Sequence, residues 1–190
     1  MKCLTCNSFS FNILCDACAS SFFNISISNR ILADDLVVYS FYPYSEVEEF
    51  IKTKHTHIGS KVFNVLSKYS FKNFSKEFYH DRKVYALPID DKLSKNYSHT
   101  AILAKSLKSK IIKPKYSVLR AKNNVNYSAK SLEFRLKNPR DFEYSFKRGI
   151  DVILVDDIIT TGTTLSEAKQ TLKKYDVNVL FALTLADARL

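Results

Sequence analysis

Residues 152–164 read VILVDDIITTGTT, and this stretch decides the fold class of the 190-residue chain. It begins with four aliphatic residues, which predict a buried strand. Asp156 and Asp157 follow, and two isoleucines later a Thr-Thr-Gly-Thr-Thr turn opens a helical pattern. Ligands of open α/β sheets bind beyond the carboxyl ends of the strands. We therefore expect the paired aspartates to border a binding site.

The turn after the aspartates has the chemistry of a phosphate site. Its residues are Thr160, Thr161, Gly162, Thr163 and Thr164, which offer hydroxyl and backbone N–H groups. The glycine permits a close approach of the backbone, and the N-terminus of the following helix favours an anion. Two adjacent carboxylates can accept hydrogen bonds from vicinal hydroxyls or hold Mg²⁺ through water. Together these parts predict a site for a ribose 5-phosphate.

Ordinary helix capping is the alternative explanation of the same segment. Thr164-Leu-Ser-Glu167 fits a capping box, and Leu165, Ala168 and Leu172 give the helix an apolar face. Capping accounts for one threonine but not for four threonines around a glycine. It also leaves a buried strand that ends in paired aspartates unexplained, so we favour ligand binding.

The rest of the chain alternates between strand and helix patterns. Strands are predicted at 36–42, 84–89, 116–119, 150–155 and 177–185, and helices at 44–55, 59–78, 98–107 and 163–175. Residues 123–144 are polar and poorly periodic, with a short helix predicted at 128–136. The alternation predicts an α/β domain with a mainly parallel sheet flanked by helices. We expect a zinc finger at 1–20, a linker at 21–35 and the α/β domain at 36–190.

All four cysteines lie near the start of the chain, as Cys3-x2-Cys6-x8-Cys15-x2-Cys18. Two CxxC pairs match the tetrahedral sulfur shell of a structural zinc ion. Disulfides, free thiols and an iron–sulfur cluster are the alternatives, and disulfides are disfavoured because no export signal is visible and a reducing cytoplasm is expected. The histidines are not needed as ligands and are interpreted as surface or loop residues (His55, His57, His80 and His99).

Positive charge is concentrated in the middle of the chain. The formal net charge is +10, divided into −4 for residues 1–50, +16 for 51–150 and −2 for 151–190. No apolar run approaches the roughly 20 residues of a membrane-spanning helix. Within residues 68–76 lysines alternate with aromatic residues, a pattern that can neutralise phosphates and stack on unpaired bases. The alternative is that these aromatic side chains belong to the core.

Residues 152–164 closely resemble the phosphoribosyl-pyrophosphate (PRPP) motif of type I phosphoribosyltransferases. The four-cysteine segment ahead of such a domain is similar to the ComF family, the competence proteins of naturally transformable bacteria. Ala86-Leu-Pro88-Ile89 stands where that family has its Pro-Val-Pro strand end, and Arg135-Leu-Lys-Asn138 resembles its Arg-x-x-Asn element. The resemblance extends over about the whole chain, but the family's Arg-Gly-Phe-Asn-Gln segment is replaced by Lys-Asn-Tyr-Ser-His at 95–99.

The resemblance implies a cytoplasmic DNA-uptake protein that handles incoming single-stranded DNA in natural transformation. It implies PRPP binding at Asp156, Asp157 and the threonine turn, Mg²⁺ that enters with PRPP, and other transformation proteins as partners, with contact at the inner face of the membrane left open. Further candidates for pyrophosphate or DNA contacts are Lys92, Lys95, Arg120 and Arg135. An active purine- or pyrimidine-type phosphoribosyltransferase of nucleotide salvage and a PRPP-sensing regulator without turnover are the alternatives.

Overall fold

The computed structural model of the chain describes residues 1–89, 97–123 and 139–190. The helix expected at 128–136 lies outside this range. The described strands are β1 (Ser28–Ile31), β2 (Val37–Pro43), β3 (Val84–Pro88), β4 (Ile112–Pro114), β5 (Leu119–Ala121), β6 (Phe142–Tyr144), β7 (Asp151–Ile159) and β8 (Asn178–Asp187). The described helices are α1 (Asp16–Phe22), α2 (Tyr44–Lys52), α3 (Gly59–Tyr69), α4 (Phe71–Glu77), α5 (His99–Ser106) and α6 (Thr163–Lys173), with a 3₁₀ turn at Thr53–His55.

A six-stranded sheet in the order β1-β2-β8-β7-β3-β4 forms the centre of the protein. All neighbouring strands pair in parallel except β1, which is antiparallel to β2. Strands β5 and β6 form a separate antiparallel ribbon. The α/β class and the mainly parallel sheet predicted from the sequence are therefore confirmed.

Strand β7 is buried on both faces, as its run of aliphatic residues requires. Ile153 and Val155 join a core that α2, α3, α4 and α5 cover, whereas Val152 and Leu154 join a second core under α6 and the β5–β6 ribbon. Helices therefore flank the sheet on both sides. Within the described part of the chain, no helix is long and apolar enough to cross a membrane.

The single helix predicted over 59–78 is two helices that meet at Ser70. This residue has φ −106° and ψ −87°, and its hydroxyl donates to the carbonyl of Leu66 at 2.7 Å. A serine hydroxyl that donates to a carbonyl of its own helix competes with the backbone hydrogen bonds of that helix. The spacing of apolar residues in the sequence does not show this competition. The break turns Phe71 into the core, where its ring centroid lies 4.8 Å from that of Phe41.

Part of the predicted linker at 21–35 belongs to the sheet. Residues Ser28–Ile31 form β1, which pairs with β2 from Ser28 opposite Ser40 to Ile31 opposite Val37. The strand is short and alternates between half-buried and exposed positions, so no apolar run marked it in the sequence. The domain boundaries themselves stay a prediction.

Gly59, at the start of α3, occupies a position where no side chain fits. A Cβ atom there would collide with the carbonyl oxygen of Thr53 and with the hydroxyl of Tyr97. The same hydroxyl donates a hydrogen bond of 2.7 Å to the carbonyl of Lys54. Helix α3, the 3₁₀ turn and the residue that leads into α5 are thus packed together at one point.

We expect Gly59→Ala to destabilise the fold by about 1–3 kcal/mol, because a clash with backbone forces packed segments apart. Urea unfolding followed by circular dichroism measures this loss. Ser60→Ala is the matched control, since only the backbone carbonyl of Ser60 accepts the bond from Asn64. Equal stability of the two variants would contradict the packing described for Gly59.

Candidate functional site

The acidic pair lies inside strand β7, near its carboxyl end. The sequence predicted that the strand would stop before Asp156, but β7 continues to Ile159 because its backbone stays paired with β8 as far as Asp187. Asp156 is half-buried, and Asp157 is 7% exposed. Pro88, the last residue of β3, pairs with the residue that precedes Asp156. The carboxyl ends of three strands therefore surround the pair.

Two basic side chains and one backbone group contact the Asp157 carboxylate. Its Oδ2 accepts a hydrogen bond of 2.8 Å from Lys54 Nζ and lies 3.3 Å from His99 Nε2. Its Oδ1 accepts the N–H of Ile158 at 2.9 Å. The interpretation of His99 as a surface or loop residue is wrong, because this histidine lies in the first turn of α5, only 21% exposed, against the ring of Phe63.

These contacts give the two carboxyl groups opposite electrostatic character. Burial opposes ionisation of Asp157, but the charges of His99 and Lys54 outweigh it and hold the pKa of Asp157 well below its ordinary value. Burial and the adjacent Asp157 raise the pKa of Asp156 well above its ordinary value. Burial also works against the Lys54 ammonium, yet Asp157 outweighs it and raises the pKa of Lys54. Asp157 is thus the ionised, paired member of the two.

The threonine turn leads from β7 into α6 through a capping residue, Gly162, that has no side chain. Gly162 has φ +82°, a left-handed conformation, and is the residue that precedes the helix. The hydroxyls of Thr161 and Thr163 lie 2.9 Å apart. Glu167 does not complete a capping box, because its carboxylate accepts the backbone N–H of Arg140 at 2.7 Å. The predicted capping box is therefore not formed, and the first N–H group of α6, that of Thr163, donates instead to Thr161 Oγ1 at 3.4 Å.

The β1–β2 hairpin supports this loop from the side. Arg30 donates to the carbonyl of Thr160 at 2.7 Å and pairs with Asp187 at 3.3 Å. Leu32 packs so closely on Gly162 that a Cβ atom there would lie 2.6 Å from its Cδ2 atom. Asp34 accepts a hydrogen bond of 3.1 Å from the hydroxyl of Ser166 in α6. The loop conformation thus depends on a segment that precedes it by about 130 residues.

The four cysteines come together as a compact cluster. Their Sγ atoms all lie within 4.8 Å of one another, and those of Cys6 and Cys15 are 3.7 Å apart. A tetrahedral shell with Zn–S bonds of about 2.3 Å has sulfur–sulfur edges of about 3.8 Å, so the arrangement fits a zinc ion. Backbone N–H groups, that of Cys6 foremost, lower the pKa of Cys3 to about 6, whereas the Cys15 and Cys6 side chains raise the pKa of Cys18 to about 12.

Of the remaining candidate residues, Arg120 belongs to the part of the chain that the structure describes. Lys92, Lys95 and Arg135 lie outside the described residues. Arg120 is exposed on β5 opposite Glu143, and none of the described contacts links it to Asp156 or to the threonine turn.

The aromatic residues between the lysines of 68–76 serve the core. Phe71 is fully buried, and Phe74 packs on Phe41, so neither ring is available for stacking on a base. The exposed aromatic pair lies elsewhere, in the cysteine segment, where Phe9 is 76% and Phe11 91% exposed. The alternative that the aromatic residues of 68–76 belong to the core is therefore correct.

A cleft of about 370 Å³ separates the cysteine segment from α3. It is lined by Phe11, Asp16, Lys61, Lys68 and Tyr69, among others. Both lysines are exposed. This cleft combines an exposed aromatic ring with basic side chains, away from the acidic pair.

Sequence reasoning missed three residues that shape the site, namely Lys54, His99 and Arg30. Each acts on a partner more than 50 residues away, and no local motif surrounds it. The one available signal is indirect. A carboxylate at the end of a buried strand needs a cation as its partner. Most basic residues lie in the middle of the chain, so a partner was to be sought there.

None of the curated proteins matches the chain in sequence. Among solved structures, a hypoxanthine phosphoribosyltransferase from Staphylococcus aureus aligns with a TM-score of 0.43 and 18% identity, over 66% of this chain and 62% of that one. The chain therefore spans less than two thirds of that enzyme.

Two other solved structures align over most of this chain. An adenine phosphoribosyltransferase from Rhodothermus marinus does so with a TM-score of 0.43 and 14% identity, over 90% of this chain and 88% of that one. An orotate phosphoribosyltransferase from Mycobacterium tuberculosis aligns with a TM-score of 0.41 and 15% identity, over 89% of this chain and 81% of that one.

The sequence also matches a family model. Residues 121–189 match the phosphoribosyl transferase domain. This range contains β7, the acidic pair, the threonine turn, α6 and β8. The match and the mainly parallel sheet together establish the phosphoribosyltransferase-like α/β fold that the sequence predicted.

Proposed function

We propose that the chain binds PRPP, with the ribose 5-phosphate in the threonine turn and the ribose hydroxyls at the acidic pair. The observation that carries this proposal is the start of α6, where the capping residue is a glycine. Gly162 turns the backbone there, and Thr161 and Thr163 bring their hydroxyls to the same place. Of the first three N–H groups of the helix, only that of Thr163 has a side-chain acceptor among the described residues, the Thr161 hydroxyl at 3.4 Å. An anion at such a helix start gains both hydrogen bonds and a favourable dipole.

Ligand binding places the ribose beside Asp156. Asp156 Oδ1 accepts the N–H of Asp157, whereas the described residues supply no hydrogen bond to Oδ2, and a hydroxyl is a donor that a carboxylate oxygen accepts. Mg²⁺ accompanies PRPP in this proposal. Whether the sugar is then transferred to a base, as in nucleotide salvage, or PRPP acts as a signal, depends on an acceptor pocket that the described residues do not define.

The second part of the proposal is a ComF-like role in handling incoming single-stranded DNA. Its support is the cleft beside the cysteine segment, where the exposed Lys61 and Lys68 of α3 lie together with Phe11, whose ring contacts that of Phe9. On the following helix α4, Lys72 and Lys76 are exposed as well. Lysines bind the phosphates of a strand, and exposed aromatic rings stack on its bases.

The third part is a structural zinc ion on Cys3, Cys6, Cys15 and Cys18. Ile13 and Leu14, which lie between the two CxxC pairs, are buried in the same core as α3. A zinc ion would therefore hold the cysteine segment in shape and, through these side chains, keep it on the domain.

We expect Gly162→Ala to weaken PRPP binding by tenfold or more, which is about 1.4 kcal/mol. The new methyl group meets Leu32, and a φ of +82° disfavours any side chain. Isothermal titration calorimetry with PRPP measures the change.

Gly149→Ala is the matched control for this loss, because Gly149 also has a positive φ but only Asp176 Oδ2, at 3.8 Å, lies near its Cβ position. Unchanged affinity of the Gly162 variant would refute the loop assignment. Pyrophosphate release from PRPP with a panel of free purine and pyrimidine bases then separates a transferase from a sensor.

We expect the double variant Lys61→Gln, Lys72→Gln to bind single-stranded oligonucleotides with a weaker salt dependence. Each phosphate contact contributes about 0.7 to the slope of log K against log salt, so the slope should fall by about 1.4. Fluorescence anisotropy over a salt series measures it. Lys173→Gln with Lys174→Gln removes the same charge at the other end of the chain, and an equal loss there would contradict a specific surface.

We expect Cys15→Ser to lose its stoichiometric zinc and to unfold at a lower temperature than the wild type. Metal analysis by mass spectrometry and thermal unfolding of the same sample check both effects. Ser20→Ala changes an exposed residue of α1 and should keep the metal. Unchanged zinc content in the cysteine variant would exclude the four-cysteine site.

A further inference from the structure

The acidic pair has few oxygen atoms left for a metal ion. Asp157 Oδ2 accepts from Lys54 Nζ at 2.8 Å and lies 3.3 Å from His99 Nε2, while Asp157 Oδ1 accepts the N–H of Ile158. Asp156 Oδ1 accepts the N–H of Asp157 at 2.8 Å. Asp156 Oδ2 is the one carboxylate oxygen of the pair for which the described residues supply no hydrogen bond.

Direct coordination of Mg²⁺ by both aspartates does not fit this arrangement. Mg²⁺ requires a near-octahedral shell of oxygen atoms at about 2.0–2.1 Å and dehydrates reluctantly. An ion bound to Asp157 Oδ2 would have to displace the Lys54 ammonium or share its oxygen with it, at the cost of repulsion between two cations. The Lys54 ammonium therefore occupies the position on Asp157 where a metal ion would otherwise bind.

Lys54 is held at this position by its surroundings. Its backbone carbonyl accepts the hydroxyl of Tyr97 at 2.7 Å, and Gly59 is packed against the carbonyl of Thr53. The side chain is 25% exposed, so its charge is partly withdrawn from water while its Nζ atom reaches Asp157. Fixing a flexible lysine in this way costs side-chain entropy, whereas a lysine that is free in solvent keeps that entropy.

We propose that the Lys54 ammonium takes the place of a divalent cation at the acidic pair, so that the sugar hydroxyls bind beside Asp156 without a metal ion on either aspartate. This inference rests on the proposed function, because it concerns the same sugar site. Asp157 then acts as a positioning residue, which holds Lys54 and His99 rather than the ligand. Any Mg²⁺ that arrives with PRPP stays on the oxygen atoms of the ligand's own pyrophosphate.

The charge balance supports this role for Lys54. Two ionised aspartates alone would repel a ligand that carries several negative charges, and a divalent cation is the usual remedy. With Lys54 in place, one of the two carboxylates is already neutralised by an ion pair 2.8 Å long. The site can therefore receive a phosphorylated sugar before any metal binds.

Mn²⁺ is a paramagnetic probe that tests the metal preference without any sugar. Titration followed by water-proton relaxation should show no Mn²⁺ site at the acidic pair of the wild type, and a new site in Lys54→Met that Asp156→Asn removes again. A wild-type Mn²⁺ site that disappears in Asp156→Asn would overturn the proposal. This arm holds even if Lys54→Met fails to fold, because the decisive comparison uses the wild type and Asp156→Asn.

Ribose 5-phosphate tests the same idea on the ligand side, since it lacks the pyrophosphate that itself chelates Mg²⁺. The buffer is depleted of metal beforehand and contains no chelator, because a chelator would also remove the zinc ion proposed for the cysteine cluster. Wild-type affinity should be the same within twofold with and without Mg²⁺. Lys54→Met should lose tenfold or more in metal-depleted buffer and regain part of the loss with Mg²⁺, whereas Lys54→Arg should resemble the wild type.

Lys52→Met is the matched control, because Lys52 is a neighbouring lysine that pairs only with the exposed Glu48 and Glu49 of its own helix among the described residues. A wild type that needs Mg²⁺ to bind ribose 5-phosphate would overturn the inference and leave the sugar site intact. A wild type that binds neither ribose 5-phosphate nor PRPP under any condition would instead refute the proposed function, while the Mn²⁺ titration still decides the role of Lys54.

Discussion

A carboxylate buried in a sheet has to be compensated, and the compensation of Asp157 organises one end of this protein. Removing one partner of a buried ion pair typically costs about 3–5 kcal/mol of stability. The fold is therefore stable only when it keeps the partners of Asp157 in place. Lys54 reaches it from the 3₁₀ turn after α2, and His99 reaches it from α5. Gly59 and Tyr97 are then explained as well, because they set the position of that turn. Three helical segments thus meet around one buried carboxylate.

The threonine turn depends on long-range contacts in the same way. A capping box would have made the start of α6 self-sufficient, but Glu167 is directed to Arg140 instead. The loop is shaped by Leu32 against Gly162 and by Arg30 on the carbonyl of Thr160. Glycine is an accepted capping residue, so this helix start costs little stability in the free protein. It leaves the N–H groups of Thr164 and Leu165 without a side-chain acceptor among the described residues.

Local patterns were enough to predict the elements that carry the chemistry. The aliphatic run before Asp156 predicted β7, and the CxxC pairs predicted a compact cluster of sulfur atoms. The sequence could not reveal the break at Ser70, because apolar residues keep their helical spacing on both sides of it. It also could not reveal that β7 extends to Ile159, since that length is set by pairing with β8. Lys54, Arg30 and His99 remained hidden for the same reason, as each is defined by a partner distant in sequence.

The basic middle of the chain therefore contains two kinds of lysine. Lys54 is one-quarter exposed and bound to Asp157, so its charge is used inside the site. Lys61 and Lys72 lie on the solvent side of α3 and α4, where salt screens them and a long polyanion can reach them. Helix α3 separates these two environments, since Val62 and Phe63 face the core while Lys61 faces the cleft. A small phosphorylated sugar and a nucleic-acid strand would thus meet different positive charges, and neither would have to displace the other.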